Sequence, residues 1–340
     1  MRAVQVSEFG SCDKASVAEV AVPVAGPGQV VIDVQAVPLN FVDLLVISGK
    51  YQVLPPLPFT PGQGPAGIVV TLGEGVTHIA LGDRVLAMAE SGGYAQYCVV
   101  DAKSCYGLPG SMSFPEAASA SLVYETSWFA LRERARLAQG ETVLVLGASG
   151  GVGLAAVHLA KAMGARVLGA IANTDKAQLV RDAGADAIID LSAPDLHESL
   201  RAQVHAHTGG QGADIVLDML GGDFFDAAVR ALAWCGRLVV IGFAAGRIPA
   251  LKMNYVLLKN IEVSGLQGSY YRKRRPERAV DCYREVFGLF ESGRLKAPVF
   301  ETMPLDDFRA GLHKIEQRAA TGRIVLLPQV WRGEHHAISL

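Results

Sequence analysis

The stretch Glu141–Gly153, ETVLVLGASGGVG, constrains the fold of this chain more than any other. Thr142–Leu146 is a short apolar run rich in β-branched residues, the pattern of a strand buried on both faces. A glycine-rich turn follows at once, and Leu154–Met163 is apolar enough to be a packed helix. Strand, glycine turn and helix are the setting that a dinucleotide-binding fingerprint needs. Gly150 lets the backbone approach a pyrophosphate, and Gly153 lets the helix pack tightly on the strand. The N-terminal N–H groups of the helix, including those of Gly151 and Val152, and the Ser149 hydroxyl then face the phosphates. Ala148 stands where the first glycine of G-x-G-x-x-G would be, with Gly147 just before it.

The next strand, Arg166–Ile171, bears on which dinucleotide binds. Folds that take NAD place an acid near the end of this strand, about 20 residues past the glycines, to hold the ribose hydroxyls. Here Ile171 stands 18 residues after Gly153, followed by Asn173, Thr174 and Lys176. A carboxylate would repel a 2′-phosphate, whereas a lysine and small hydrogen-bonding side chains favour it. The expected cofactor is NADPH rather than NADH.

Length sets the outer frame: 340 residues suffice for two domains, each with its own core. A formal net charge of −2 gives no electrostatic case for a nucleic-acid partner. No apolar run is long enough to span a bilayer, and the N-terminus reads directly as a strand without the apolar core of a signal peptide. The five cysteines, Cys12, Cys98, Cys105, Cys235 and Cys282, are odd in number and scattered, as expected of reduced thiols in a cytoplasmic enzyme.

Residues 1–125 read as mostly β, with strands expected at Met1–Val6, Val17–Val24, Gln29–Val37, Ala66–Leu72, Arg84–Met88 and Tyr94–Val100, separated by Gly/Pro turns. That density of short strands suggests a small barrel or rolled sheet. Pro115 and Glu116 mark a helix start. Residues 126–262 then alternate strands (142–146, 166–171, 186–189, 213–218, 237–242) with helices (151–163, 174–183, 195–207, 222–234), as in a doubly wound parallel sheet. Residues 263–340 follow a last strand at Ile261–Leu266 with a helix near 276–292, a strand Val299–Pro304, a helix near 306–318 and a strand Arg323–Leu327.

Several short motifs then coincide: Asn40-Phe-Val-Asp43 with Gly49 and Tyr51, Pro58-Phe-Thr-Pro-Gly62, Gly82-Asp-Arg-Val85, Gly92-Gly-Tyr-Ala95, Ala148-Ser-Gly-Gly-Val-Gly153, and Gly236-Arg-Leu-Val239 with Gly242. Over about residues 1–328 the chain resembles the medium-chain dehydrogenase/reductase superfamily, and within it the zinc-free quinone oxidoreductases that include zeta-crystallin. The resemblance implies an α/β fold in which a Rossmann doubly wound parallel sheet is inserted into a GroES-like, β-rich catalytic domain. The expected parts are 1–125 (catalytic, first part), 126–262 (NADPH-binding) and 263–340 (catalytic, second part, with the tail). It also implies that Asn40, Asp43 and Tyr51 line the active site. Thr126, Gly242, Phe243 and the turn Leu266-Gln267-Gly268 would lie on the nicotinamide side. Residue chemistry alone reads Asp43 as a helix cap, Tyr51 as a packing side chain and Phe243 as a core aromatic.

Zinc dehydrogenases of this superfamily use a cysteine, a His-Glu pair and a third ligand. In this chain Asn40, the Gly62-Gln63-Gly64 segment and Leu122 stand at those places, and only Cys98 and Cys105 fall where a structural zinc lobe needs four cysteines. No zinc is expected. Relatives of this type often carry an acid where Gln63 sits. Without a Lewis acid, the chemistry that remains is hydride transfer to an acceptor that is already electrophilic. The expected activity is NADPH-dependent quinone reduction, with Tyr51 stabilising the developing oxyanion. Reduction of an activated alkene (an enal, enone or enoyl-CoA) is the alternative. From another class, an NADPH-binding structural or regulatory protein with little turnover also fits. Resemblance further implies a homodimer, paired edge to edge through Ile261–Leu266. The run Arg272-Lys-Arg-Arg275 reads as a solvated loop, with an anionic-substrate landing site as the sharper reading. His335-His336 reads as part of a polar tail beyond the last strand.

Overall fold

The structure, a computed structural model, describes residues 1–298 and 300–329. The start of the expected strand at Val299 and the His335-His336 tail lie outside these residues. The chain divides into two compact units, 1–122 with 297–340 and 123–296.

The first unit begins with β1 (Arg2–Gln5) and β2 (Ser16–Glu19), an antiparallel pair. Then come β3 (Gln29–Pro38), α1 (Phe41–Ile47), β4 (Ala66–Leu72), β5 (Arg84–Ala87), β6 (Tyr97–Asp101) and β7 (Cys105–Gly107). β2 stops well short of the expected Val24, leaving Val22 and Val24 exposed. β6 starts later than expected because the Tyr94 N–H bonds the Pro61 carbonyl instead of a ladder partner. Ser113 and Glu116 form a reciprocal cap for α2 (Phe114–Trp128), within which the two units divide.

The second unit holds β8 (Thr142–Leu146), α3 (Gly151–Ala162), β9 (Arg166–Ile171), α4 (Ala177–Asp182) and β10 (Ala187–Asp190). It continues with α5 (Leu196–His207), β11 (Ala213–Asp218), α6 (Gly222–Ala231), β12 (Leu232–Val240), α7 (Met253–Lys259), β13 (Glu262–Gly265), α8 (Gly268–Arg274) and α9 (Pro276–Glu291). The six strands form one parallel sheet in the order β10-β9-β8-β11-β12-β13. Strand order reverses between β8 and β11, which is where a doubly wound sheet opens a crevice for its ligand. Its core includes Leu144, Leu146, Leu168, Val216 and Leu238, drawn from the strands, with Leu200, Val204 and Phe225 from the helices.

The chain then returns to the first unit with β14 (Phe300–Pro304), α10 (Phe308–Glu316) and β15 (Arg323–Leu327). Among the described residues seven strands form its main sheet: β14-β15-β3-β4-β5-β7 as neighbours in space, with β6 on β3. β15 runs antiparallel to the end of β3, pairing Val325 with Pro38 and Leu326 with Val37. This register has a chemical consequence at Asn40, described below.

Three expectations are corrected. Residues 263–296 belong to the nucleotide-binding unit rather than to a returning catalytic segment, because β13 is hydrogen-bonded to β12 and α8 is tied by an ion pair to Glu125. The helix expected over 222–234 ends at Ala231, and residues 232–234 open β12, with Cys235 at a positive φ of 59°. The basic run at 272–275 is not a solvated loop. It lies mostly on α8, and Arg272 is buried against Glu125.

Candidate active site

In the first unit the site is built around the start of α1. Asn40 is its N-cap residue, and the Asp43 carboxylate reaches back to accept the Asn40 backbone N–H at 2.8 Å. The same Asp43 oxygen accepts the Tyr94 hydroxyl at 2.6 Å. β15 brings Arg323 to this point: the Leu39 N–H bonds the Ile324 carbonyl at 2.9 Å, one residue from each side chain concerned. The guanidinium donates to the Asn40 side-chain oxygen at 2.6 Å and to the Ser119 carbonyl at 3.3 Å. All four side chains are buried.

Burial dominates the electrostatics. It pushes the Asp43 carboxyl up from 3.8 to about 6, against the opposing hydrogen bonds from Tyr94 and Asn40 and the attraction of Arg323. Burial pulls Arg323 down to about 10, with Asp43 acting in the opposite sense. The Tyr94 phenol is held well above its ordinary value, first by burial and then by the Asp43 charge. Tyr94 is therefore a donor to Asp43, not an acid for substrate. Asn40, with its carbonyl engaged by Arg323, turns its amide towards the carbonyls of Pro38 and Gln63 at 3.5 and 3.4 Å.

Gly62 explains the local chain path. Its φ is +101°, and a Cβ there would lie 2.3 Å from the Tyr94 ring. Tyr51 follows α1, half-buried, with its ring packed against the core of this unit. The structure thus joins Asn40 and Asp43 in one hydrogen-bonded group and bears out the capping role for Asp43. Arg323 and Tyr94 are members that sequence reasoning did not single out. Their signals were present: an arginine opening the apolar strand RIVLL, and the tyrosine of the Gly92-Gly93-Tyr94-Ala95 motif.

Zinc can be tested against this donor set. Asn40 and Gln63 offer amides, Leu122 offers nothing, and the Asn40 oxygen already accepts from a guanidinium whose charge opposes a second cation. These residues do not fit a zinc ion.

In the second unit, β8 runs into the turn 147–150 with Gly147 at a φ of +73°. Gly150 is the N-cap of α3 and carries no side chain to cover the helix end. A Cβ at Gly153 would lie 2.2 Å from the Gly147 carbonyl oxygen, so only glycine lets α3 sit this close to the turn. The first-turn N–H groups of α3 have no partner within the helix. These features fit a dinucleotide pyrophosphate at Ser149–Gly153. After β9, Asn173 caps a short turn through its side chain, accepting the Asp175 N–H at 2.9 Å, and Thr174 and Lys176 belong to the same turn. Asp175, which the sequence reading passed over, puts one carboxylate among them.

Further along, Gly242 follows β12, and Phe243 is 40% exposed, which rules out the core role. The Leu266 N–H bonds the Val240 carbonyl at 3.0 Å, and Gln267 and Gly268 open α8. Arg272, on that helix, is ion-paired to the fully buried Glu125, the neighbour of Thr126. The pair fixes the 266–268 turn relative to Thr126 within this unit. At the end of β11, the buried Asp218 carboxylate accepts the N–H groups of Leu220 and Gly221, both at 2.9 Å, and burial raises its pKa.

This combination of folds defines a class. Residues 26–110 match the alcohol dehydrogenase GroES-like domain, and residues 151–285 match the zinc-binding dehydrogenase family. The chain belongs to the medium-chain dehydrogenase/reductase family, on its quinone oxidoreductase-like branch. It is 36% identical over 304 residues to a quinone oxidoreductase-like protein 2 homolog of Nematostella vectensis, covering 88% of this chain and 82% of that one. It is 35% identical to quinone oxidoreductase-like protein 2 of Bos taurus, covering 88% and 85%. Among solved structures, Escherichia coli quinone oxidoreductase complexed with NADPH superposes with a TM-score of 0.88 at 29% identity, over 96% of this chain and 100% of that one.

Proposed function

We propose that the protein is an NADPH-dependent, zinc-independent quinone oxidoreductase. The observation that carries this reading is the Asn40–Arg323 hydrogen bond at 2.6 Å. Where a metal-dependent relative would need a thiolate, this chain holds an amide in place with a buried guanidinium. Such a site can orient and hydrogen-bond an acceptor, but it does not activate a simple alcohol. Bound NADPH would supply hydride from C4 of its nicotinamide. The Ser149–Gly153 turn would hold the pyrophosphate, with Asn173, Thr174 and Lys176 at the 2′-phosphate. Thr126, Gly242, Phe243 and 266–268 would line the nicotinamide. The Tyr51 phenol would donate to the acceptor oxygen as negative charge develops there, Asn40 would shape the floor of the site, and Asp43 would keep α1 and Asn40 in position.

The burial of Arg272 removes part of the basic run that an acyl-CoA phosphate would use, so a quinone is favoured over an enoyl-CoA. A homodimer is part of the same reading. β13 is the edge strand of its sheet, and Trp234, Met253, Leu257 and Leu258 are exposed on the same unit.

The test follows absorbance of the reduced nicotinamide, using NADPH and NADH against quinones, enones and one enoyl-CoA. Quinone-dependent oxidation of NADPH, slowed about 10- to 100-fold in Tyr51→Phe, is expected. Turnover confined to alkenes would make the enzyme an alkene reductase. NADPH binding without turnover on any acceptor would leave a non-catalytic role.

A further inference from the structure

In the first unit a second cluster, sharing no residue with the Asn40 group, joins the short helical turn Cys12–Lys14 to α10. Three different donors converge there: the Cys12 sulfur, an Asp13 oxygen and the His313 ring, with one ligand atom from each lying within 4.8 Å of the others. The His313 Nε2 is 2.8 Å from Asp13 Oδ1 and 3.9 Å from Cys12 Sγ. In a tetrahedral zinc site, bond lengths of about 2.0 to 2.3 Å put neighbouring donors roughly 3.3 to 3.6 Å apart. These two separations bracket that range, and all the donor atoms lie within 4.8 Å of one another, so a cation can be seated by side-chain adjustment alone.

The far side of the imidazole supplies an independent observation. The His313 Nδ1 faces Glu316 Oε2 at 3.4 Å, one turn along the same helix. A carboxylate at one ring nitrogen, with the other nitrogen turned towards the ligand position, is the outer-shell arrangement of metal-bound histidines. It also places the ring between two carboxylates, a location that suits a bound cation. Of the basic side chains near the cluster, Lys14 pairs with Glu8 at 3.0 Å, and Arg309, whose charge is felt at Asp13, donates to the Ala15 carbonyl at 2.9 Å. Cys12 is buried, whereas Asp13 and His313 reach solvent, which gives an ion a way in.

We propose that Cys12, Asp13 and His313 form a binding site for a borderline-soft divalent cation such as Zn2+, completed by water and oriented by Glu316. The thiolate and imidazole favour zinc over calcium or magnesium, which prefer oxygen donors. The site is separate from the catalytic group. Its effect is to fasten the Cys12–Lys14 turn to α10, and it carries no step of the reaction.

The test uses the full chain, first stripped with a chelator and then titrated with Co2+ and Zn2+. Co2+ bound by Cys12 is expected to give a thiolate-to-metal charge-transfer band at one equivalent, displaced by Zn2+. Competition with a chromogenic chelator then reports the Zn2+ affinity. Cys12→Ser and His313→Ala should abolish the band. Glu316→Gln, an exposed change that leaves the fold alone, should weaken Zn2+ about 10- to 100-fold. Cys235→Ser, which removes an exposed thiol elsewhere, should leave the band intact. Absence of a thiolate band in the wild type would overturn the proposal. So would a band that survives Cys12→Ser, or a Zn2+ affinity unchanged by Glu316→Gln.

Discussion

Replacing Asp43 by asparagine isolates the electrostatics of the buried group at the start of α1. The substitution keeps the shape and an oxygen that can accept from both Tyr94 and the Asn40 N–H, and it removes the titration. In the unfolded chain the carboxyl has its ordinary value of 3.8, and in the fold it lies at about 6. The folded protein therefore holds a proton through a window in which the unfolded chain has released it. Its contribution to stability is complete below about pH 4, is lost as pH rises towards 6, and is flat above that. At 1.36 kcal/mol per pH unit, the gap corresponds to about 3 kcal/mol. Urea unfolding of wild type and Asp43→Asn, run in parallel from pH 4 to 7.5, measures it. Any pH-independent offset, such as the loss of negative charge near Arg323, shifts one curve bodily and does not alter the comparison of slopes. The wild-type curve should fall relative to the variant's by about 2 kcal/mol of that total between pH 4 and 6.5. Curves that stay parallel to within about 1 kcal/mol would show that burial does not raise this carboxyl, and the account of the group would fail.

Three other substitutions probe the second unit. Gly153→Ala drives a methyl group to within 2.2 Å of the Gly147 carbonyl, so the turn must open. The expected result is a loss of about 1 to 3 kcal/mol in unfolding and at least about tenfold weaker NADPH binding by fluorescence titration. Lys176→Ala should raise the KM for NADPH about tenfold, equivalent to about 1.4 kcal/mol, and leave that for NADH unchanged. Equal effects on both cofactors would remove Lys176 from the 2′-phosphate. Arg272→Met leaves the buried Glu125 without its guanidinium, and should cost about 3 to 5 kcal/mol in thermal or urea unfolding.

The nucleotide-binding unit was largely legible because its information is local. Thr142–Leu146, Arg166–Ile171 and Ala213–Asp218 are apolar runs of strand length, and each coincides with an observed strand. The catalytic group was legible only in part. Asn40 and Asp43 are three residues apart and share a helix start, so a local pattern carries them. Arg323 joins them through strand register, which no local window contains. α8 was missed because Arg272-Lys-Arg-Arg275 has the composition of a solvated loop. Its one buried member depends on Glu125, 147 positions away in the chain. The 222–234 helix was drawn too long because Leu232-Ala-Trp234 continues an apolar helical pattern. Pairing with β11 draws the first of these residues into the sheet instead.

The pairing of β15 with β3 also bears on biosynthesis. Arg323 and Asn40 lie 283 positions apart, and the whole nucleotide-binding unit is translated between them. On the ribosome, the N-terminal strands emerge with Asp43 and Tyr94 already in the chain but without the guanidinium that opposes the cost of burying the carboxylate. That part of the fold can close only after release of the last described strand. Until then the edge of β3 that β15 will occupy stays open to other strands, so the nascent chain is most exposed to mispairing while the inserted unit is being made.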